Sequence, residues 1–350
     1  MTNTTPDTPS LADLGWTNFY QSQLDIDEVT TTTPARVRGV HRTQISVLTT
    51  AGKTDLTLDP GMSTAEIAIG DWVLCDPQSA RMIRRLDRIS TLQRGSDYQH
   101  GERQLIAANI DTLFITTSCN ADFNVARLER YLALAYDADV TPVILLTKAD
   151  QTRTPDDYAD QAQALGKDLA VVTLNARDET QTSKLAPWCG KGQTVALAGS
   201  SGVGKTTLTN ALTGEQGATQ GIREDDARGR HTTTGRSLHQ LPSGGWLIDT
   251  PGMRGLGVAD VVAGINEVFS EISTLEDQCR FRDCKHEGEP GCAVTAAIAR
   301  GDVTPDRLKR FQKLRREDAI ATETIAQSRE RNKKFGKMVK TAMKHKKKKR

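Results

Sequence analysis

Between residues 34 and 92 the chain alternates apolar and polar positions in short runs. Ala35-Arg-Val-Arg-Gly-Val40, Gln44-Ile-Ser-Val-Leu-Thr49 and Thr54-Asp-Leu-Thr-Leu58 read as strands, with Ala51-Gly52-Lys53 as a turn between the last two. Gly70-Asp-Trp-Val-Leu-Cys75 and Arg81-Met-Ile-Arg-Arg-Leu86 continue the series. Five short strands in about 60 residues predict a small barrel, with an OB-fold as first choice. From Ala107 the period changes. Strands are expected over 108–116, 140–146, 170–174, 194–198 and 246–248. Helices are expected over 124–135, where Leu128, Tyr131, Leu132 and Ala135 share one face, over 155–165 behind Thr154, and from Thr207. Strands alternating with helices predict a mostly parallel sheet with ligands at the strand C-termini. Thr304-Pro305 opens a last helix, whose stripe is Leu308, Phe311 and Leu314.

Composition adds tails to this picture. Only 37% of the 350 residues are hydrophobic, so polar loops or extensions are expected. A net charge of +2 hides a segregation: residues 331–350 hold 11 Lys and Arg and no acid, leaving 35 basic against 44 acidic residues elsewhere. An acidic body with a basic tail suits an anionic partner met through the tail; a solubilising tail is the alternative. Residues 1–33 are Thr/Asp/Pro-rich and expected as a loosely ordered lead-in, on which Leu14, Trp16 and Phe19 could pack. No signal peptide and no run near 18 apolar residues is seen, so no membrane partner and a cytoplasmic location are expected. In the barrel, Arg36, Arg38, Arg42, Arg81, Arg84 and Arg85 read either as an RNA-binding face or as an ordinary solvated exterior.

Candidate chemistry centres on Gly199, Ser200, Ser201, Gly202, Val203, Gly204, Lys205 and Thr206, which fit G-x-x-x-x-G-K-[ST] between a predicted strand and a helix beginning at Thr207. Glycines let backbone N–H groups approach a phosphate, Lys205 reaches the β- and γ-phosphates, and the Thr206 hydroxyl ligates Mg²⁺. Thr147, Lys148, Ala149 and Asp150 end an earlier strand and are similar to the [NT]KxD guanine motif: Asp150 can accept from two guanine N–H groups that adenine lacks. Asn175 and Ala176, after the next strand, could offer a backbone N–H to the guanine oxygen. Asp249-Thr-Pro-Gly252 matches DxxG, with Asp249 on Mg²⁺ through water and the Gly252 N–H sensing the γ-phosphate. Thr233 or Thr234 would complete the Mg²⁺ shell, and His231 in the same segment is the internal candidate to orient the attacking water. Met253 stands where many GTPases have a catalytic glutamine, and a thioether cannot orient water. Base recognition precedes the phosphate loop in this chain, the reverse of the ordinary order, so the sheet is expected to be circularly permuted.

Cys279, Cys284, His286 and Cys292 place three thiols and an imidazole in one short stretch, a donor set for a closed structural Zn²⁺, with Pro290-Gly291 as the turn. The expected fold class is multidomain α/β: a lead-in (1–33), an OB-fold RNA-binding barrel (34–97), a circularly permuted P-loop GTPase domain (98–262), a zinc-knuckle helical domain (263–330) and a basic tail (331–350).

Taken in order, the 107–111 segment, the 147–150, 199–207, 229–234 and 249–252 motifs and the Cys/Cys/His/Cys cluster resemble the RsgA family of ribosome small-subunit-dependent GTPases, from about Pro34 to the helix after Thr304. The resemblance implies GTP hydrolysis to GDP stimulated by the small ribosomal subunit during its late maturation, with rRNA as partner. It also implies a hydrolytic role for a switch histidine at the position of His231. Thr147 stands where Asn is commoner and should weaken support of the phosphate loop; Asn175 replaces a more typical Ser. A monomer is expected. The rival readings are an RNA-binding GTP switch not tied to the ribosome and a P-loop kinase or ATPase, for which Asp150 would have no use.

Overall fold

In the computed structural model, which describes residues 9–59, 61–95, 103–214, 237–249 and 259–323, the alternating region forms five strands. They are β1 (Thr33–Val40), β2 (Gln44–Thr49), β3 (Gly52–Thr57), β4 (Trp72–Asp76) and β5 (Arg81–Arg85). They close in the order β1-β2-β3-β5-β4, with β4 returning antiparallel to β1. This is an OB-like barrel. Its interior holds Ala35, Val37, Ile45, Val47, Leu56, Val73, Cys75 and Met82, all buried.

From residue 9 on, the lead-in is more ordered than its composition suggests. Helix α1 (Asn18–Gln21) is followed by α2 (Ile26–Thr31), which opens on a capping box between Asp25 and Glu28. Glu28 also receives both Nε and Nη2 of Arg84, at 2.6 and 2.7 Å. Trp16 meets Trp72 edge-on with ring centres 4.8 Å apart, and Leu14 and Tyr20 are buried. Phe19, expected to pack, stays exposed.

Arg36 departs from both readings of the barrel arginines. It is 1% exposed, and its Nη1 and Nη2 donate at 2.6 Å to the Leu14 carbonyl and the Thr194 hydroxyl. Burial lowers its pKa to about 10, so the charge is kept at neutral pH.

Beyond the barrel, β6 (Thr91–Gly95) pairs with β7 (Arg103–Ala108). The strand expected over 108–116 is broken: Asn109 takes φ 57°, and β8 (Thr112–Ser118) starts after it. The Asn109 amide donates to the Gly70 carbonyl and accepts from the Ile89 N–H, both at 2.9 Å. Gly70 is required here, because a Cβ would lie 2.1 Å from the Ala108 carbonyl oxygen. Arg36, Asn109 and Gly70 thus stitch the barrel to the base of the sheet.

That sheet contains β8, β9 (Thr141–Thr147), β10 (Ala170–Thr173), β11 (Thr194–Ala198), β12 (Ser237–Gln240) and β13 (Trp246–Asp249). Their order is β10-β9-β8-β11-β13-β12, parallel except for the edge strand β12. All residues of β8 and β11 are buried, as strands covered on both faces must be. Helices α3 (Val125–Asp137), α4 (Pro155–Gln163), α5 (Glu179–Thr182) and α6 (Lys205–Thr213) fill the connections. In α3 the predicted stripe Leu128, Tyr131, Leu132 and Ala135 is buried, each large side chain contributing about 2 kcal/mol. Thr154 precedes α4 as expected, but its side chain makes no capping bond.

The chain divides into two compact units, Met1–Gln93 with Leu105–Gly255, and Arg94–Gln104 with Leu256–Arg350. In the second, α7 (Val262–Val268), α8 (Ser270–Glu276), α9 (Ala293–Arg300) and α10 (Pro305–Thr322) surround a small core of Ile265, Phe269, Ile272, Val294, Leu308, Phe311 and Leu314. Arg307 lies over the Phe269 ring at 4.2 Å, and Thr304 caps α10 through the Arg307 N–H. Among the described residues no helix is long and apolar enough to cross a membrane.

Candidate functional site

The central strand β11 ends at Ala198, and the glycine-rich loop follows it at the C-terminal edge of the sheet, where open parallel sheets bind ligands. Gly199 has φ 141°, and a Cβ there would sit 2.2 Å from the Thr116 carbonyl oxygen, so the loop can start only with glycine. Gly202 and Gly204 also take positive φ, and Gly204 leads into α6. Lys205 Nζ folds back onto the loop, donating to the carbonyls of Gly199 at 2.7 Å and Ser200 at 2.5 Å. Ser201, Gly202 and Thr206 are exposed, whereas Val203 is buried.

Thr147 and Asp150 reach the same edge from β9. The Thr147 hydroxyl lies 2.5 Å from the Val203 carbonyl and 3.0 Å from that of Thr117; its single hydrogen serves one of them at a time. Thr147 therefore does support the loop, though with fewer donors than the commoner Asn would bring. Lys148 adopts the left-handed region at φ 55°, a conformation costly for a side-chain-bearing residue and typical of functional turns. It turns the chain so that Asp150 is exposed beyond the strand end, with Lys148 and Ala149 half-buried. After β10, the Leu174 N–H bonds the Leu146 carbonyl at 2.9 Å, aligning this end with that of β9. The Asn175 N–H donates to Gln181 and its side chain accepts from the Arg177 N–H, while the Ala176 N–H has no partner among the described residues.

On the other flank, β13 runs parallel to β11 with Ile248 opposite Ala196, so Asp249 ends its strand two residues below the level of Gly199. Exposed Thr206 and half-buried Asp249 are hard oxygen donors of the kind Mg²⁺ prefers. His231, Thr233, Thr234 and Gly252 lie outside the described residues, as does the 331–350 tail. One further side chain joins the loop from α3: Arg127 Nη1 donates to the Ser200 hydroxyl at 2.8 Å. Nothing local in the sequence marks Arg127, because its contact depends on β8 lying beside β11.

The second unit gathers Cys279, Cys284, His286 and Cys292 with all four ligand atoms within 4.8 Å of one another. Tetrahedral Zn²⁺, with bonds of about 2.3 Å to sulfur and about 2.0 Å to nitrogen, sets its ligand atoms roughly 3.5–3.8 Å apart. His286 Nδ1 lies 3.4 Å from Cys292 Sγ and 3.7 Å from Cys279 Sγ, and the two sulfurs are 4.0 Å apart. The cluster is thus compatible with zinc. Cys292 heads α9, where burial alone would push its thiol up. The Thr295 N–H and the His286 imidazole outweigh that and bring the thiol down to about 6. Glu276 was not foreseen: its carboxylate holds His286 Nε2 at 2.9 Å, fixing Nδ1 toward the sulfurs, and is itself held by Arg315 at 3.3 Å.

Known proteins are similar to this chain in sequence and in fold. A profile of the RsgA GTPase family matches residues 85–259. A Mesorhizobium japonicum protein named small ribosomal subunit biogenesis GTPase RsgA is 56% identical over 89% of this chain and 90% of its own. One from Vibrio parahaemolyticus, named small ribosomal subunit biogenesis GTPase RsgA 2, is 48% identical over 97% and 94%. Among solved structures, YjeQ from Thermotoga maritima superposes with a TM-score of 0.60 at 22% identity, covering 81% of this chain and 97% of that one. YloQ, described as a circularly permuted GTPase, gives 0.56 at 21% identity, covering 81% and 94%.

Proposed function

This chain belongs to the RsgA GTPase family, and from that premise we propose that it hydrolyses GTP on the small ribosomal subunit during the subunit's late maturation, and that the subunit stimulates the reaction. The observation that carries the site assignment is the meeting, at one sheet edge, of the loop after β11, the turn after β9 and the segment after β10. In this reading the N–H groups of 199–204, Lys205 and Thr207 take the phosphates. Asp150 reads guanine, Lys148 lies along the base, and Asn175 and Ala176 face the guanine oxygen. Thr206, with Asp249 through water, would hold Mg²⁺, which neutralises charge on the β- and γ-phosphates; Thr233 or Thr234 would complete its shell. Gly252 senses the γ-phosphate and His231 orients the attacking water. One zinc ion on Cys279, Cys284, His286 and Cys292 would hold the knuckle that follows.

The barrel and the knuckle are assigned to rRNA, and the protein to a monomer acting in the cytoplasm. Domain limits are placed at 33/34, 97/98, 262/263 and 330/331.

The test is GTP turnover by the full chain with purified small subunits, large subunits and free RNA. Small subunits alone should accelerate it, and ATP should not compete for binding. Equal acceleration by all three would favour an RNA-dependent switch not tied to the ribosome. Under small-subunit stimulation, His231→Ala should bind GTP normally and turn over more slowly; a normal rate would remove His231 from the mechanism.

A further inference from the structure

The phosphate-binding loop has two limbs, and each is tied down from outside. On the second limb the Val203 carbonyl is held by Thr147. On the first, Lys205 occupies the carbonyls of Gly199 and Ser200, and the Ser200 hydroxyl is 2.8 Å from Nη1 of Arg127. Between the ties only Ser201 and Gly202 are exposed. Arg127 is well placed to act as an anchor. It stands in the first turn of α3, its own N–H is bonded to the Asn124 side chain at 2.9 Å, and its side chain is half-buried. Its backbone is therefore fixed before the side chain reaches across. The limb it holds begins at a glycine with positive φ, where the chain has most freedom to lose on binding a ligand. Tying such a limb in advance reduces the ordering cost at the moment of binding. The guanidinium also adds a fixed positive charge beside a site that must accept a polyphosphate.

We propose that Arg127 is a positioning residue of the nucleotide site: its guanidinium holds the Ser200 hydroxyl and so keeps the first limb of the loop in the shape that receives the β- and γ-phosphates. This rests on reading the loop as the GTP-phosphate site. It assigns α3, which carries none of the sequence motifs, a direct part in nucleotide retention. The tie comes from a segment that precedes the loop in the chain, as does that of Thr147.

The experiment is a double-mutant cycle on the full chain, following dissociation of a fluorescent GDP analogue. Arg127→Met should speed dissociation about tenfold and Ser200→Ala severalfold, with the double variant no faster than Arg127→Met alone, the signature of one shared interaction. Arg127→Lys should fall between wild type and Arg127→Met, since it keeps the charge but not the fork. In steady state, KM for GTP should rise by a larger factor than kcat falls. Two results overturn the proposal: no change in dissociation for Arg127→Met, or effects of the two substitutions that multiply independently. A wild-type chain that does not bind the GDP analogue sinks the reading of the loop itself, and the proposal with it.

Discussion

The glycine-rich loop and the cysteine cluster, read above as sites for a nucleotide and a zinc ion, are short segments shaped by opposite means. The loop is made of backbone. Its form follows from glycine at Gly199, from the buried strands β8 and β11 beneath it, and from ties to Thr147 and Arg127. The cluster is made of side chains. Its helices α7, α8 and α9 are 7, 7 and 8 residues long, too short to be stable alone. The four ligand groups occupy space that apolar residues would fill in a larger domain. The loop should therefore keep its shape without its ligand, while the segment around the cluster should owe its shape to the ion. Losing the proposed ligand should therefore cost the first region its function and the second its fold.

The largest effect should come from Cys292→Ser, which keeps an oxygen to cap α9 but removes a thiolate. Structural zinc supplies on the order of 10 kcal/mol to folding. Zinc content should fall and the C-terminal unit should become protease-sensitive, while GDP affinity stays near wild type. Full zinc retention would break the contrast. Next is Lys205→Ala. It should weaken GDP binding more than a hundredfold, about 3 kcal/mol, with little change in Tm; a large drop in Tm would mean that the loop, too, is held together by its ligand-binding groups. Smaller is Glu276→Gln, which weakens the grip on His286 Nε2 and should lower zinc affinity about tenfold in a chelator competition. Unchanged affinity would remove Glu276 from the cluster's support. The smallest is Thr147→Val, isosteric but without the hydroxyl. GDP affinity should fall severalfold, about 1 kcal/mol, and no change would show that the loop's second limb needs no tie.

The barrel strands were legible because inward residues alternate, and the loop and cluster because their chemistry is written in local spacing. Arg36 shows where this runs out. Lying between Ala35 and Val37, it points out of the barrel as alternation says, but that exterior is covered by the lead-in and by Thr194 of β11. Period gives a residue's face, not what will cover that face. Asn109 broke a run that read as one strand, because a positive φ and two long-range bonds of its amide outweighed strand propensity. Glu276 and Arg127 act across the fold on His286 and Ser200, and no local pattern marks such partners.

The place of β11 between β8 and β13 bears on how the protein is made. Strands β8, β9 and β10 leave the ribosome first, and β11 follows Ser118 by about 75 residues, a delay of roughly 4–15 s at ordinary elongation rates. During that interval β8, buried along its whole length in the finished sheet, has an open edge that only β11 can close. Chains arrested short of Thr194 should aggregate or bind chaperones more than chains extended past β13. The strand that carries the glycine-rich loop is thus also the one that covers the edge of β8, handing the open edge on to itself until β13 arrives, so retention of a guanine nucleotide by a nascent chain should report that this insertion has taken place.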